Sequence, residues 1–196
     1  MTAVSQVGQK IPDGVGTNDV AFGPHVVQYS PQYSFCAGCN SCEAVCSLVH
    51  DKVVGPTYHR VFLRRGGTRD MVCQVLSCQH CLDHPCYNAC PKQDVAMKID
   101  ENGIVYVVEE DCIGCGKCVK ACRFETPRIN LAKHADRKKW AAKKCDLCRT
   151  RPEGPACVEY CPVRCLGLDT ASEGLVVDPE ITDEIVLNHL EDRSHD

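Results

Sequence analysis

The chain has little of what a catalytic globular domain or a membrane protein is built from. Aromatic residues make up 6% of its 196 positions, and there is a single tryptophan, Trp140. Long apolar runs are missing. The strongest, such as residues 104–108, are far shorter than the ~20 residues of a bilayer-spanning helix, which excludes a direct membrane span of that kind. Residues 1–16 hold neither a basic segment followed by an apolar one nor a twin-arginine pair, so no leader is expected. These absences predict a cytoplasmic chain in a reducing compartment, where free thiols persist. Export with a signal-bearing partner stays compatible with them. There is also no glycine-rich phosphate loop, no nucleophile elbow and no HExxH zinc site. No catalytic residue is expected, and the carboxylate pair Glu109-Glu110 reads as surface.

Cysteine is what the chain has in excess: 18 of 196 residues. Disulfides, zinc or iron–sulfur clusters would each account for such a density. The arrangement separates them. Sixteen cysteines fall into four groups. The first is Cys36, Cys39, Cys42 and Cys46. The second is Cys78, Cys81, Cys86 and Cys90, followed by Pro91. The third is Cys112, Cys115, Cys118 and Cys122. The fourth is Cys145, Cys148, Cys157 and Cys161, followed by Pro162. This is an internal fourfold repeat, degenerate in its second and fourth copies.

A cubane cluster has four iron corners, each needing one thiolate. Cysteines at i, i+3 and i+6 wrap a loop around three of them, and the fourth, beyond the loop, reaches a second cluster. Gly38, Gly114 and Gly116 let the backbone approach inorganic sulfur there. Zinc calls for two ligand pairs separated by a long gap, which the first and third groups do not offer. Disulfides would need export and explain none of the regularity. The sixteen cysteines are therefore read as the iron ligands of four [4Fe–4S] clusters. Cys73 and Cys165 lie outside the repeat and read as small buried hydrophobes. His80 and His84 either tune a cluster by hydrogen bonding or simply pack.

The formal charge is −4 with every thiol neutral. Four oxidised clusters would add about −8, which makes a nucleic-acid partner a poor fit. The basic run Arg137-Lys138-Lys139 with Lys143-Lys144 reads as a solvated helix face or as countercharge near a cluster.

Local patterns fill the gaps between groups. Residues 60–65 and 71–76 flank a Gly-Gly segment and predict a hairpin. Residues 96–99 and 104–108 flank Asn102-Gly103 and predict another. Residues 131–144 are read as a short helix, and apolar positions at Ile181, Ile185, Val186 and Leu190 predict a terminal amphipathic helix. Residues 1–34 read as an extension lying across a partner or across the core.

At residues 78–91, 144–148 and 155–162 the sequence resembles the four-cluster, ferredoxin-like electron-transfer subunits of molybdenum and tungsten pterin oxidoreductases. Small subunits of dimethyl sulfoxide reductase, formate dehydrogenase and tungsten aldehyde oxidoreductases are of this type, as are some in hydrogenases. The resemblance spans roughly residues 35–175. It implies four full cubanes, because Cys115 stands where some relatives carry Trp. It also implies a large catalytic pterin subunit as partner, with a further donor or acceptor subunit beyond it. Arg123 stands where Pro is common in the family, and Cys165 where Ala is common. A free-standing polyferredoxin shuttle is the rival reading, as is a subunit of a hydrogenase.

Spacing alone does not fix which groups pair. The gap from Cys90 to Cys112 holds one hairpin, like the linker inside a small ferredoxin, so the second and third groups should pair. The first and fourth then pair around them, as the resemblance also implies. Cys161 would join Cys36, Cys39 and Cys42, and Cys46 would join Cys145, Cys148 and Cys157. Cys122 would join Cys78, Cys81 and Cys86, and Cys90 would join Cys112, Cys115 and Cys118. The expected fold is α+β, with one dicluster module (73–139) inserted in another (35–72 and 140–175), an extension at 1–34 and a tail at 176–196.

Overall fold

The computed structural model describes residues 22–28, 36–65, 73–133 and 139–169. The terminal helix expected over 181–190, the glycine turn at 66–70 and the pair Arg137-Lys138 lie outside them. The described residues are α+β: β1 (His25–Gln28), α1 (Ser41–Asp51), β2 (Phe62–Arg65), β3 (Cys73–Leu76), α2 (Pro85–Asn88), β4 (Met97–Ile99), β5 (Val105–Val107), α3 (Lys117–Ala121), β6 (Ile129–Lys133), β7 (Trp140–Lys144), α4 (Ala156–Glu159) and β8 (Leu166–Asp169). No helix among them is long and apolar enough to cross a membrane.

Four two-stranded antiparallel sheets carry the strands. Two are the expected hairpins, with Phe62 opposite Leu76 and Met97 opposite Val107. In the second, the Asp100 carboxylate accepts from the backbone N–H of Asn102 and Ile104, and Gly103 takes the left-handed conformation that closes the turn.

The reading of residues 131–144 as a helix is corrected. This stretch contains β6 and β7, paired with Ile129 opposite Lys144 and Ala132 opposite Ala141. Leu, Ala and Lys favour helix, but propensity is a weak prior against tertiary burial. Ala141, Ala142, Lys143 and Lys144 are all buried, and consecutive buried positions suit a strand enclosed on both faces rather than one side of a helix. The solvated-face reading of Lys143-Lys144 falls with it.

The ends of the described chain meet. β1 pairs with β8 along its length, from His25 opposite Asp169 to Gln28 opposite Leu166. Its Gln28 amide donates to the Cys73 carbonyl at 3.0 Å and accepts from the Val75 N–H at 2.6 Å, fastening β1 to β3. Upstream, the Gly23 N–H donates to the His80 carbonyl at 2.9 Å, and Phe22 stacks on Phe124. This part of the extension therefore lies across the core.

Helix α1 packs on α4, and α2 on α3. Around these two pairs the buried residues form two clusters. One gathers Val26, Val61, Leu147 and Leu166 with Cys42, Cys46, Cys145, Cys157, Cys161 and Cys165. The other gathers Met97, Val105, Ile129 and Ala142 with Cys86 and Cys118.

Candidate metal centres

All eighteen cysteines are free thiols, and most are buried. They converge in sets. Cys90, Cys112, Cys115 and Cys118 line one cavity of about 370 Å³ that opens to solvent, together with Met97, Leu131 and Ala142. Cys78, Cys81, Cys86 and Cys122 line a second, of about 360 Å³. Elsewhere Cys36 lies in electrostatic reach of Cys161, and Cys42 of Cys36 and Cys39. Cys46 faces Cys148, Cys145 faces Cys157 and Cys46, and Cys157 faces Cys46 and Cys148. In each of the two cavities, three cysteines of one group meet the last cysteine of another; among the remaining cysteines the approaches are pairwise, and Cys145 also lies near Cys78 and Cys157 near Cys42.

The surroundings suit an iron–sulfur group. Backbone N–H groups aim at sulfur: Arg60 at Cys46 (3.2 Å), Arg128 at Cys122 (3.3 Å), and both Gly114 and Ala142 at Cys112 (3.5 Å). Such bonds orient thiolate ligands and tune what they hold. Without a metal the arrangement is electrostatically awkward. Burial pushes the Cys42 and Cys118 thiols up to about 12, and those of Cys46 and Cys86 up to about 11. Iron ligation supplies the charge that lets such sulfurs sit together as thiolates.

Backbone conformation shapes the loops. Gly114 has φ +66, and a Cβ there would lie 2.7 Å from both Cβ and the carbonyl oxygen of Trp140. Gly114→Ala is expected to cost roughly 2–3 kcal/mol and to speed iron loss to a chelator, read by the decay of visible absorbance. One clash is with backbone, so adding Trp140→Ala should not rescue it. Gly38, at φ +65, faces the Cys73 sulfur, 3.0 Å from its would-be Cβ.

Cys73 and Cys165 differ from each other. Cys165 is buried, with its sulfur 3.6 Å from that of Cys161, as expected of a packed thiol. Cys73 is only half-buried, because it sits in a two-stranded sheet with one open face.

The sequence reading missed the charges that hold the sets in place. Glu109 is not a surface residue. It accepts from Arg60 and Lys143, each at 2.5 Å, and the same two cations bind Asp51. Glu110 is exposed, as expected. Lys144 is buried next to Cys145 and donates to the Val105 carbonyl at 2.7 Å. A lysine abutting a cysteine of the repeat is the only trace of this in the sequence. Arg123 pairs with the exposed Asp83.

Residues 70–171 match the family described as 4Fe-4S dicluster domain. The chain is 39% identical over 127 residues to the polyferredoxin-like subunit of aliphatic sulfonate oxidoreductase from Pyrococcus furiosus, covering 64% of this chain and 66% of that one. It is 35% identical over 162 residues to a subunit of the anaerobic dimethyl sulfoxide reductase of Shigella flexneri, covering 72% of this chain and 75% of that subunit. It is 32% identical over 151 residues to the electron transport protein HydN of Escherichia coli K12, covering 68% and 82%. Two other Escherichia coli relatives are much longer, and the chain matches 22% and 20% of their lengths.

Proposed function

The chain belongs to the 4Fe-4S dicluster family; from that premise we propose that it is an iron–sulfur electron-transfer subunit without a catalytic site of its own, that it carries four [4Fe–4S] clusters on sixteen cysteines, and that it serves a catalytic molybdenum or tungsten pterin subunit. One observation supports the cluster count: two cavities each gather three cysteines of one group with the last of another, and pairwise approaches among the remaining eight follow the same pattern. When bound, each cluster accepts and releases a single electron. The chain's own residues do the rest. Cysteine sulfurs hold the irons, backbone N–H groups at Gly114, Ala142, Arg60 and Arg128 point at those sulfurs, and the buried walls keep water from most of them.

The nested arrangement is part of the same proposal. Packing of α1 on α4 and of α2 on α3, with β1 closing against β8, supports an inner module of the second and third groups inside an outer one of the first and fourth. The pterin partner is supported by the relative that is a subunit of dimethyl sulfoxide reductase. The place of action is proposed to be the cytoplasm.

Anaerobically prepared protein should contain 16 iron and 16 sulfide per chain, four for each set of four cysteines, and no stoichiometric zinc. Half that iron would sink the four-cluster reading. Size exclusion of native extract should show the chain eluting with a much larger subunit containing molybdenum or tungsten. Elution alone would favour a shuttle, and a nickel-containing partner a hydrogenase.

A further inference from the structure

The two cavities of the second and third groups differ in the charge of their walls. The cavity of Cys90, Cys112, Cys115 and Cys118 has one basic residue, the exposed Lys92, among its lining. The cavity of Cys78, Cys81, Cys86 and Cys122 is lined by Lys144, His80, His84, Arg123 and Arg128. Arg123 is offset by Asp83, and the buried Arg128 lies over the Phe124 ring at 4.7 Å and adds a fixed positive charge to the wall; the buried pair Lys144 and His80 adds a second cation and a hydrogen-bond donor.

Lys144 Nζ donates to the carbonyls of Val105 (2.7 Å) and Cys145 (3.1 Å) and to His80 Nδ1 (3.3 Å). Among the described residues, no carboxylate pairs with it. A buried ammonium without an anion is costly, and the groups facing it are the sulfurs of Cys78, Cys86 and Cys145, which become anionic on ligating iron. The histidine has its own requirement. Its Nδ1 also accepts the Val105 N–H at 3.3 Å, so the ring proton must sit on Nε2. That Nε2 is buried and has no hydrogen-bond partner, on a ring that lines the cavity. A buried donor without an acceptor points to an acceptor within the cavity, and a cluster sulfur or ligating thiolate is of that chemistry.

We propose that Lys144 and His80 make the site of Cys78, Cys81, Cys86 and Cys122 the higher-potential member of the inner pair, where an electron in that half comes to rest. This depends on the four-cluster reading above. Reduction adds one negative charge to a cluster. A buried cation and an N–H donor next to it favour the reduced form more than the oxidised one, and Lys92, in water, does so far less.

The test is a redox titration followed by electron paramagnetic resonance on the anaerobic full chain, with its large partner if the two co-purify. Lys144→Met should lower the midpoint of one cluster, cutting its reduced-to-oxidised ratio at fixed potential at least tenfold, ~59 mV for one electron. The affected signal should be the one whose spectrum Cys122→Ser alters. Lys144→Arg should restore most of the shift, and Lys92→Met should move nothing. Full iron with an unchanged midpoint in Lys144→Met, or an equal shift of every cluster, would overturn the proposal. Should Lys144→Met lose iron, His80→Leu is the second reading: a fall in the same midpoint supports the proposal, and none overturns it. Fewer than four clusters in the unmutated chain would overturn the reading beneath it, independently of any shift.

Discussion

Replacing Asp51 by Asn is expected to cost about 3–5 kcal/mol, because it breaks a buried ion network rather than a surface pair. Asp51 ends α1, Arg60 precedes β2, Glu109 follows β5 and Lys143 lies in β7. Arg60 bridges Asp51 (2.7 Å) and Glu109 (2.5 Å); Lys143 bridges the same two carboxylates. The Lys143 side chain is wholly buried, and those of Asp51 and Arg60 are 5% and 7% exposed. Two cations balance two anions. The amide leaves two cations facing one carboxylate. Asp51→Asn with Lys143→Met restores the balance and should recover part of the loss, a coupling that separates charge from packing. The readout is the guanidinium midpoint of the anaerobic holoprotein. The acid limb tests the sign. Burial alone would raise the Asp51 pKa, but Lys143 and Arg60 outweigh it and hold the carboxyl below its ordinary value. The network's contribution is thus fully present above the unfolded value near ~3.9 and is lost as pH falls through the lower folded one. Variant and parent should differ at neutral pH and converge only in strong acid. A midpoint shift below about 1 kcal/mol at neutral pH would show that the network contributes little.

Stripping the iron should have the largest effect of all, the loss of cooperative folding. The described sheets have two strands each, and such ribbons are marginal alone. The helices run from four to eleven residues, too short to hold without packing. The packing available is largely sulfur: seven of the twelve buried residues in the larger cluster are cysteines. Without iron those sulfurs become neutral thiols lining solvent-open clefts, with nothing to tie the four segments of each set together. Chelation under reducing, anaerobic conditions should abolish the sharp denaturation transition and expose thiols to alkylation. Anaerobic iron and sulfide should restore both. Ligation releases thiol protons, so reloading should be easier as pH rises. An iron-free chain that still unfolded cooperatively would contradict this account.

The family was legible because cluster chemistry fixes cysteine spacing locally. Both hairpins at 62–76 and 97–107 were legible from their turn residues. The strands β6 and β7 were not, since Ala and Lys favour helix and only burial on both faces makes them strands. Glu109 and Lys143 were misread for the same reason. Nothing local distinguishes a charged residue in water from one whose partners arrive from segments some ninety residues away, as Asp51 and Lys143 do. His80 was left between tuning and packing, and only the Val105 N–H on its Nδ1 leaves Nε2–H seeking an acceptor.

The pairing of β1 with β8 has a consequence for biosynthesis. As the chain leaves the ribosome, His25 appears early and its partner Asp169 very late, and Cys46 likewise waits for Cys145, Cys148 and Cys157. Every residue lining the two central cavities, by contrast, has emerged once Lys144 has. Contacts between distant segments close last, because loop closure grows costlier with length. The central sets can thus be complete while, under the proposed pairing, Cys36, Cys39, Cys42 and Cys46 are still open thiols awaiting the fourth group. Under the proposed pairing, a donor that delivers iron during synthesis would meet a half-finished object, with the cysteines of the first group the last to be enclosed.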